Sequence, residues 1–298
     1  MGYILELKTT QATAIKIVTD AVNSLLTDAN FDIYPYYINN DSPTTNGGGE
    51  GYNNNDDNLN TDNKKKKKQI GGIVLKEVNK TGKILVYMKL DADKFDIYKY
   101  NYNKEKITLG IDIGNLLKCL KCMSHFDTMA WYIDEEDINK LIIVLECLEK
   151  KEKKTFKLNL MDIDEESYDI SPIQFPYLIT LPSQDFHKYC KDMASSTDKI
   201  ELKATSNKIF FSGKGEIGDI EFEVGETNGG LSITCTTNNK DEIVQGIFEL
   251  KFLLIFTKCT NLCNQVTLFL KNDYPIIITY QIAALGEIKL VLSPTKND

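Results

Sequence analysis

The chain is a succession of short β-type runs, and this pattern limits its fold more than any other feature. The runs KILVYMKL at 83–90, FDIYKYNY at 95–102, ITLGIDI at 107–113, KLIIVLECL at 140–148 and PYLITLP at 176–182 are rich in β-branched and aromatic residues. KIELKAT, KIFFSG, DIEFEV, LSITCTT, QVTLFL and YPIIITYQIA continue the series from 199 to 283. Turn formers such as Asn79, Asn103, Gly213, Gly229 and Asn238-Asn239 separate them. Many short strands joined by tight turns imply antiparallel sheets. Only four segments carry helical spacing: about Thr10 to Leu25, Gly114 to Met123, Ser183 to Met193, and Leu250 to Lys258. In the first, Ala14, Ile15, Val18, Val22 and Leu25 fall near one stripe, with Lys16 and Asp20 one turn apart on another. The third opens with Ser183 and Asp185 and is expected to bury Phe186, Tyr189 and Met193. The fold class is α+β, with helices lying on sheets. Two helices fall in each half among comparable numbers of strands, an internal repeat of layout and not of identity.

A chain of 298 residues, 42% apolar and 26% charged, is long enough for two ordinary domains. No run approaches the roughly 18 apolar residues of a membrane helix, and MGYILELKTT lacks the succession of a secretory signal. Glu6 stands where a myristoylation pattern needs Ser or Thr. Seven cysteines, scattered through apolar runs, fit free thiols in a reducing compartment and no disulfide framework. The stretch at about 39–69 is low-complexity, polar and closed by the run Lys64 to Lys68, and reads as a disordered insertion. That lysine run suits a nuclear signal, a DNA-touching arm or plain low complexity.

Net charge −8 and an isoelectric point near 5.1 oppose a protein coated with positive charge, but leave room for a local basic surface. The predicted helices supply one. Lys118 and Lys121, Lys188 and Lys191, and Lys251 and Lys258 are spaced three, three and seven apart, so each pair shares a helical face. Lysine is a mobile point charge, suited to phosphates and not to reading base edges. From charge alone, ordinary solvated helix faces account for the same pattern.

FPYLITLPSQDFHKYCKDM, KIFFSGKGEIGDIEFEV, FELKFLLIFTKCTNLCNQVTLFL and YPIIITYQIAALGEIKLVLSP occur in an order and spacing that resemble the proliferating cell nuclear antigen family of DNA sliding clamps. KLNLMDIDEESYDI resembles that family's interdomain connector, and QATAIKIVTDAV, KFDIYKY and LGIDIGNLLKCLKC resemble its N-terminal half more faintly. The resemblance covers the chain outside the insertion. It implies two similar DNA-clamp domains, each with antiparallel sheets and two helices, at 1–157 and 175–298, with a connector at 158–174. In the family, subunits close head-to-tail into a ring whose helices line the hole. The chain would then be no enzyme and need no cofactor. Its partners would be duplex DNA of any sequence, itself as a homotrimer, a clamp loader, and polymerases or other proteins with the family's interaction motif; no membrane is involved. The resemblance implies a nuclear location, or a cytoplasmic replication site for a viral protein.

Carried over residue by residue, Lys16, Lys118, Lys121, Lys188, Lys191, Lys251 and Lys258 match basic channel positions. Val78, Leu85, Tyr168, Ile170, Pro275, Val291 and Pro294 match the pocket for a partner's motif. Val78, Gly82, Tyr168 and Leu290-Val291 depart from the residues usual there. Subunit edges are expected near Lys153 to Leu158, with Phe156 and Leu158, and near Ile217 to Val224, with Ile217, Ile220 and Phe222. The family's ubiquitin-acceptor position reads Ser206, with Lys203 and Lys208 nearby. The acidic remainder either keeps DNA in the channel by repulsion or serves solubility.

Other chemistry is thin. Cys119, Cys122 and His125, with Cys259 and Cys263, have a spacing that suits zinc only weakly, since the first pair lies in a helix. Asp134 to Asp137 and Asp162 to Glu166 read as solvated turns before they read as a nuclease site. With two histidines in the chain, bases for a nucleophile are few. A monomeric open-face processivity factor and a subunit of a heterotrimeric checkpoint-type clamp are the alternatives within nucleic-acid metabolism.

Overall fold

The computed structural model describes residues 2–36, 71–124, 127–164, 173–216, 218–236 and 242–295. The segment expected to be an insertion, 39–69, lies outside them, as do His125, Tyr168, Ile170 and Ile217.

The first half runs β1 (Tyr3–Thr9), α1 (Ala12–Asn23), β2 (Asp28–Tyr34), β3 (Gly72–Val78), β4 (Ile84–Asp91), β5 (Ile97–Tyr100), β6 (Ile107–Asp112), α2 (Ile113–Lys121), β7 (Thr128–Asp134), β8 (Asp137–Cys147) and β9 (Glu152–Asn159). The second runs β10 (Tyr177–Pro182), α3 (Ser183–Met193), β11 (Lys199–Ala204), β12 (Lys208–Gly215), β13 (Gly218–Gly225), β14 (Ser232–Cys235), β15 (Val244–Glu249), α4 (Leu250–Phe256), β16 (Gln265–Leu270), β17 (Ile276–Ile282) and β18 (Gly286–Leu292). The order of strands and helices is the same in both halves.

Pairing repeats as well. β5-β1-β7-β8-β9 forms one sheet, and β14-β10-β16-β17-β18 has the same order nine strands later. β6-β2-β3-β4 is likewise repeated by β15-β11-β12-β13. Every ladder is antiparallel. Where the halves meet, β18 pairs with β4 over seven residues, from Gly286 opposite Leu90 to Leu292 opposite Ile84, and fuses two of these units into a nine-stranded sheet. The layout repeat expected from sequence is thus a repeat of topology. The first unit ends at Asn159, just past the boundary expected at 157.

Strand alternation explains the layers. In β4, Ile84, Val86, Met88 and Leu90 are buried while Leu85, Tyr87 and Lys89 are not. β2 buries Ala29, Phe31 and Ile33 on its inward face, and Asn30 between them is also covered. The inward faces meet the apolar stripes of the helices. α1 buries Ala14, Ile15, Val18 and Val22, and α3 buries Phe186, Cys190 and Met193. Tyr189, expected in the core, is half-buried: its ring lies 5.1 Å from Phe211 and 6.0 Å from Phe222, over an edge strand with no further neighbour among the described residues. The α-helix expected to reach Lys258 ends at Phe256 and tightens into a 3-10 turn, Thr257–Leu262. The Thr257 hydroxyl donates to the Leu254 carbonyl at 2.8 Å, a local partner that competes with the α-helical ladder.

After β9 the chain is pinned to the edge of β6. Met161 N–H donates to the Gly110 carbonyl at 2.8 Å, and Asn30 Nδ2 donates to the Ile163 carbonyl at 3.1 Å. A Cβ at position 110 would stand 2.1 Å from the Met161 carbonyl oxygen, so only glycine admits this approach.

Candidate functional site

All four helices form one layer. α1 packs on α2 at one side and on the Thr257–Leu262 turn at the other, and α3 packs on α4 and on that same turn. Their buried stripes face the sheets, so their polar stripes share the outer face of the layer. Lys118, Lys121, Lys188, Lys191, Lys251 and Lys258 are exposed there and Lys16 is half-buried. Across the four helices and the turn stand these seven lysines and three aspartates, Asp20, Asp185 and Asp192, in a chain of net charge −8. The structure therefore brings the sequence-predicted lysines onto one surface.

They are not equivalent. Lys16, Lys121, Lys188 and Lys191 form no ion pair among the described residues. Lys118 donates to Asn115 Oδ1 at 3.0 Å. Lys258 does not continue the face of Lys251: its ammonium crosses to α1, 2.7 Å from Ser24 Oγ and 3.5 Å from Asp20. Lys251 lies 2.6 Å from Glu249 and 4.8 Å above the Phe252 ring. Lys251 first, then Lys83, hold the Glu249 carboxyl below the usual carboxylate range. The sequence contains no arginine, so every fixed positive side-chain charge here is a lysine point charge.

A second surface lies on the opposite, outward face of the nine-stranded sheet. Val78 stands opposite Leu85, Leu85 opposite Val291, Val291 opposite Ile277, Ile277 opposite Phe269, and Phe269 opposite Leu178. This is a half-buried apolar row across six strands, with Pro275 just before β17 and Pro294 just after β18. The next outward row is Lys76, Tyr87, Lys289, Thr279 and Thr267, so the apolar character stops there. Five of the seven predicted pocket residues thus gather at one place. Sequence reasoning missed Ile277, Phe269 and Leu178, which extend the row, and the aromatic cluster at its end, where Phe175 stacks edge-on to Phe269 and Tyr274 at 5.7 and 5.9 Å. The alternation along β17 and β16 was the available signal.

The third feature is a pair of edges. β9 and β13 each close one side of a sheet, as expected, with Phe156, Leu158, Ile220 and Phe222 half-buried on the core-facing side. Ser206 sits in the turn between β11 and β12; near it Lys208 pairs with Glu223 and Lys203 lies 5.6 Å over the Phe210 ring.

Among the described residues, no three His, Cys, Asp or Glu side chains converge as metal ligands. Burial pushes the Cys190 and Cys259 thiols up to about 12, which keeps them as neutral packing groups. Asp134 to Asp137 form the β7–β8 turn, with Asp137 paired to Lys140 at 2.7 Å. No helix among the described residues is long and apolar enough to cross a membrane.

Two copies of a two-sheet unit, fused edge to edge and backed by one helix layer, define the DNA-clamp fold. Residues 57–168 match the N-terminal domain of proliferating cell nuclear antigen and residues 169–295 match its C-terminal domain, and the chain belongs to that family. The N-terminal match begins after β2, although β1, α1 and β2 have their topological counterparts in the second half. Over 297 residues, 99% of its length, the chain is 29% identical to the probable DNA polymerase sliding clamp of Acanthamoeba polyphaga mimivirus, and spans 62% of that relative's length.

Proposed function

We propose that this chain is one subunit of a homotrimeric DNA sliding clamp, a processivity factor that encircles duplex DNA and holds replication and repair enzymes on it. The observation that supports this most is the single lysine-bearing helix layer in an otherwise acidic family member. Lys16, Lys118, Lys121, Lys188, Lys191, Lys251 and Lys258 would touch phosphates loosely while the ring slides, with retention coming from enclosure and not from affinity. The outward apolar row through Val78, Leu85 and Val291, with Pro275 and Pro294 beside it, would take the aromatic and aliphatic anchors of a polymerase's interaction motif; Tyr168 and Ile170, matched to the same pocket by family resemblance, lie outside the described residues. β9 and β13 would meet between subunits, and a loader would open the ring. No catalytic role is assigned to any residue, and the site of action is the nucleus or a cytoplasmic replication site.

Light scattering across a range of concentrations tests this reading. A trimer of the 33.8 kDa chain that is retained on circular DNA and lost from linear DNA is the expected result. A persistent monomer that binds both forms alike would overturn it in favour of an open-face factor.

A further inference from the structure

The fold sorts the seven cysteines by their access to solvent. Cys147, Cys190 and Cys259 are buried, Cys119, Cys235 and Cys263 are half-buried, and Cys122 is exposed. Cys119 and Cys122 lie three residues apart at the C-terminal end of α2, Cys119 within its last turn and Cys122 as the residue that caps it.

In a regular α-helix, side chains three apart have Cβ atoms about 5–6 Å from each other, more than the roughly 3.5–4.5 Å that a disulfide spans. The end of α2 is not regular. Cys122 N–H donates to the Cys119 carbonyl at 3.2 Å, and Met123 N–H to the Leu120 carbonyl at 3.1 Å. Both bonds are of the 3-10 type, a geometry in which side chains three apart eclipse, so the tightening carries the Cys122 side chain towards that of Cys119. The two sulfurs sense each other: burial first, then the neighbouring Cys122, push the Cys119 thiol up. Cys122 Sγ donates to the Lys118 carbonyl at 3.6 Å, a weak bond that a change of rotamer gives up. The cap itself is anchored from outside, because Lys154 Nζ on β9 donates to the Cys122 carbonyl at 3.0 Å.

The other closely spaced pair lacks these properties. Cys259 is fully buried. Cys263 leaves its turn in an extended conformation, φ −156° and ψ 161°, and its thiol donates to the Gln265 carbonyl at 3.0 Å.

We propose that Cys119 and Cys122 form a reversible dithiol–disulfide site, oxidised by hydrogen peroxide and restored by a dithiol reductant. In reducing surroundings a pair of this kind is transient and redox-sensing. The exposed Cys122 sulfur, as the thiolate, attacks one peroxide oxygen. The O–O bond breaks, and the departing hydroxide takes up the proton that the thiol lost and leaves as water. The sulfenic acid formed on Cys122 is then attacked by the Cys119 sulfur; the S–O bond breaks and a second water leaves with the Cys119 proton. Two electrons pass from the two thiols to the peroxide. The bridge closes on the turn that carries Lys118 and Lys121, so it fixes part of the lysine layer without altering its charge. This chemistry belongs to the single chain and does not depend on the ring reading.

The test is peroxide treatment of the full-length chain, followed by unfolding, alkylation of the remaining thiols with iodoacetamide, and mass spectrometry. The native chain takes up seven alkyl groups before oxidation and five after it, those at 119 and 122 being lost, and a dithiol reductant restores all seven. Trypsin, which cuts after Lys121, leaves its two products joined by the bridge. C119S stops at a Cys122 sulfenic acid that dimedone captures. C122S keeps its remaining thiols at least about tenfold longer than the native chain keeps this pair. A native chain that still takes up seven alkyl groups after treatment overturns the proposal. So does a Cys122 oxidised to the sulfinic acid beside an alkylated Cys119, or a bridge that joins other cysteines or two chains.

Discussion

The β18–β4 junction and the β9 and β13 edges occupy equivalent places in the two halves, and they differ in burial. At the junction Leu290, Ile288 and Val86 are 0% exposed and Met88 3%, whereas Phe156, Ile220 and Phe222 at the edges remain half-buried. The residue types are similar, so the difference is the missing neighbour strand. An apolar side chain left half-covered in a repeated unit, where its counterpart is fully covered, measures what an absent partner would bury.

Breaking the closed side of the comparison gives the largest effect. Leu290→Asp places an unpaired carboxylate at a fully buried position, and a loss of more than about 4 kcal/mol is expected, read as collapse of the thermal transition by circular dichroism. On the open side, Phe156→Ala leaves the fold of the isolated chain within roughly 1–2 kcal/mol of the native one but weakens assembly by a larger margin, read by sedimentation. If Phe156→Ala melts the monomer as severely as Leu290→Asp does, the two places are not counterparts. Within the helix layer, Lys188→Ala with Lys191→Ala removes two exposed, unpaired charges. The expected result is a shallower salt dependence of DNA binding, by up to about 0.9 log units per log salt for each phosphate no longer neutralised, with no change in stability.

The smallest effect concerns Glu249 at the opening of α4. Its carboxyl is held low by Lys251 and Lys83, so its stabilising contribution is present above the ordinary carboxylate range and disappears as pH falls through the lowered folded value. Glu249→Gln should cost under about 1 kcal/mol at neutral pH, since the lysines are largely solvated, and nothing in strong acid, by denaturant titration at the two pH values.

Local signals made much of this legible in the sequence. The four expected helices are present, the fourth ending at Phe256 instead of Lys258, and Phe186 and Met193 are buried as their positions required, whereas Tyr189 is only half-buried. β2 was harder to see because Asp28, Asn30 and Asp32, poor strand formers, alternate along it with Ala29, Phe31 and Ile33, and only that alternation betrays the strand. The lysines were legible as pairs within helices, but their meeting in one layer depends on α1 packing against a turn some 240 residues away in sequence, a neighbour no local pattern encodes. Lys258 shows the cost of extrapolating a period: once Thr257 diverts the backbone, the side chain joins α1 instead of Lys251. Of the apolar row, family resemblance supplied Val78, Leu85 and Val291 alone; Ile277, Phe269 and Leu178 alternate with buried residues on separate strands, and only the cross-strand register aligns them with the rest.

The attachment at Gly110 has a mechanical meaning. Tension drawn through the chain beyond Asp164 is borne first by the Met161–Gly110 main-chain bond at the rim of β6 and the Asn30–Ile163 bond to the neighbouring β2. Those two bonds act as strain relief, much as a clip holds a cable against its housing. A bulky residue at 110 would shift the load onto β9, so that tugging on the connector would peel the very strand left waiting for a neighbour.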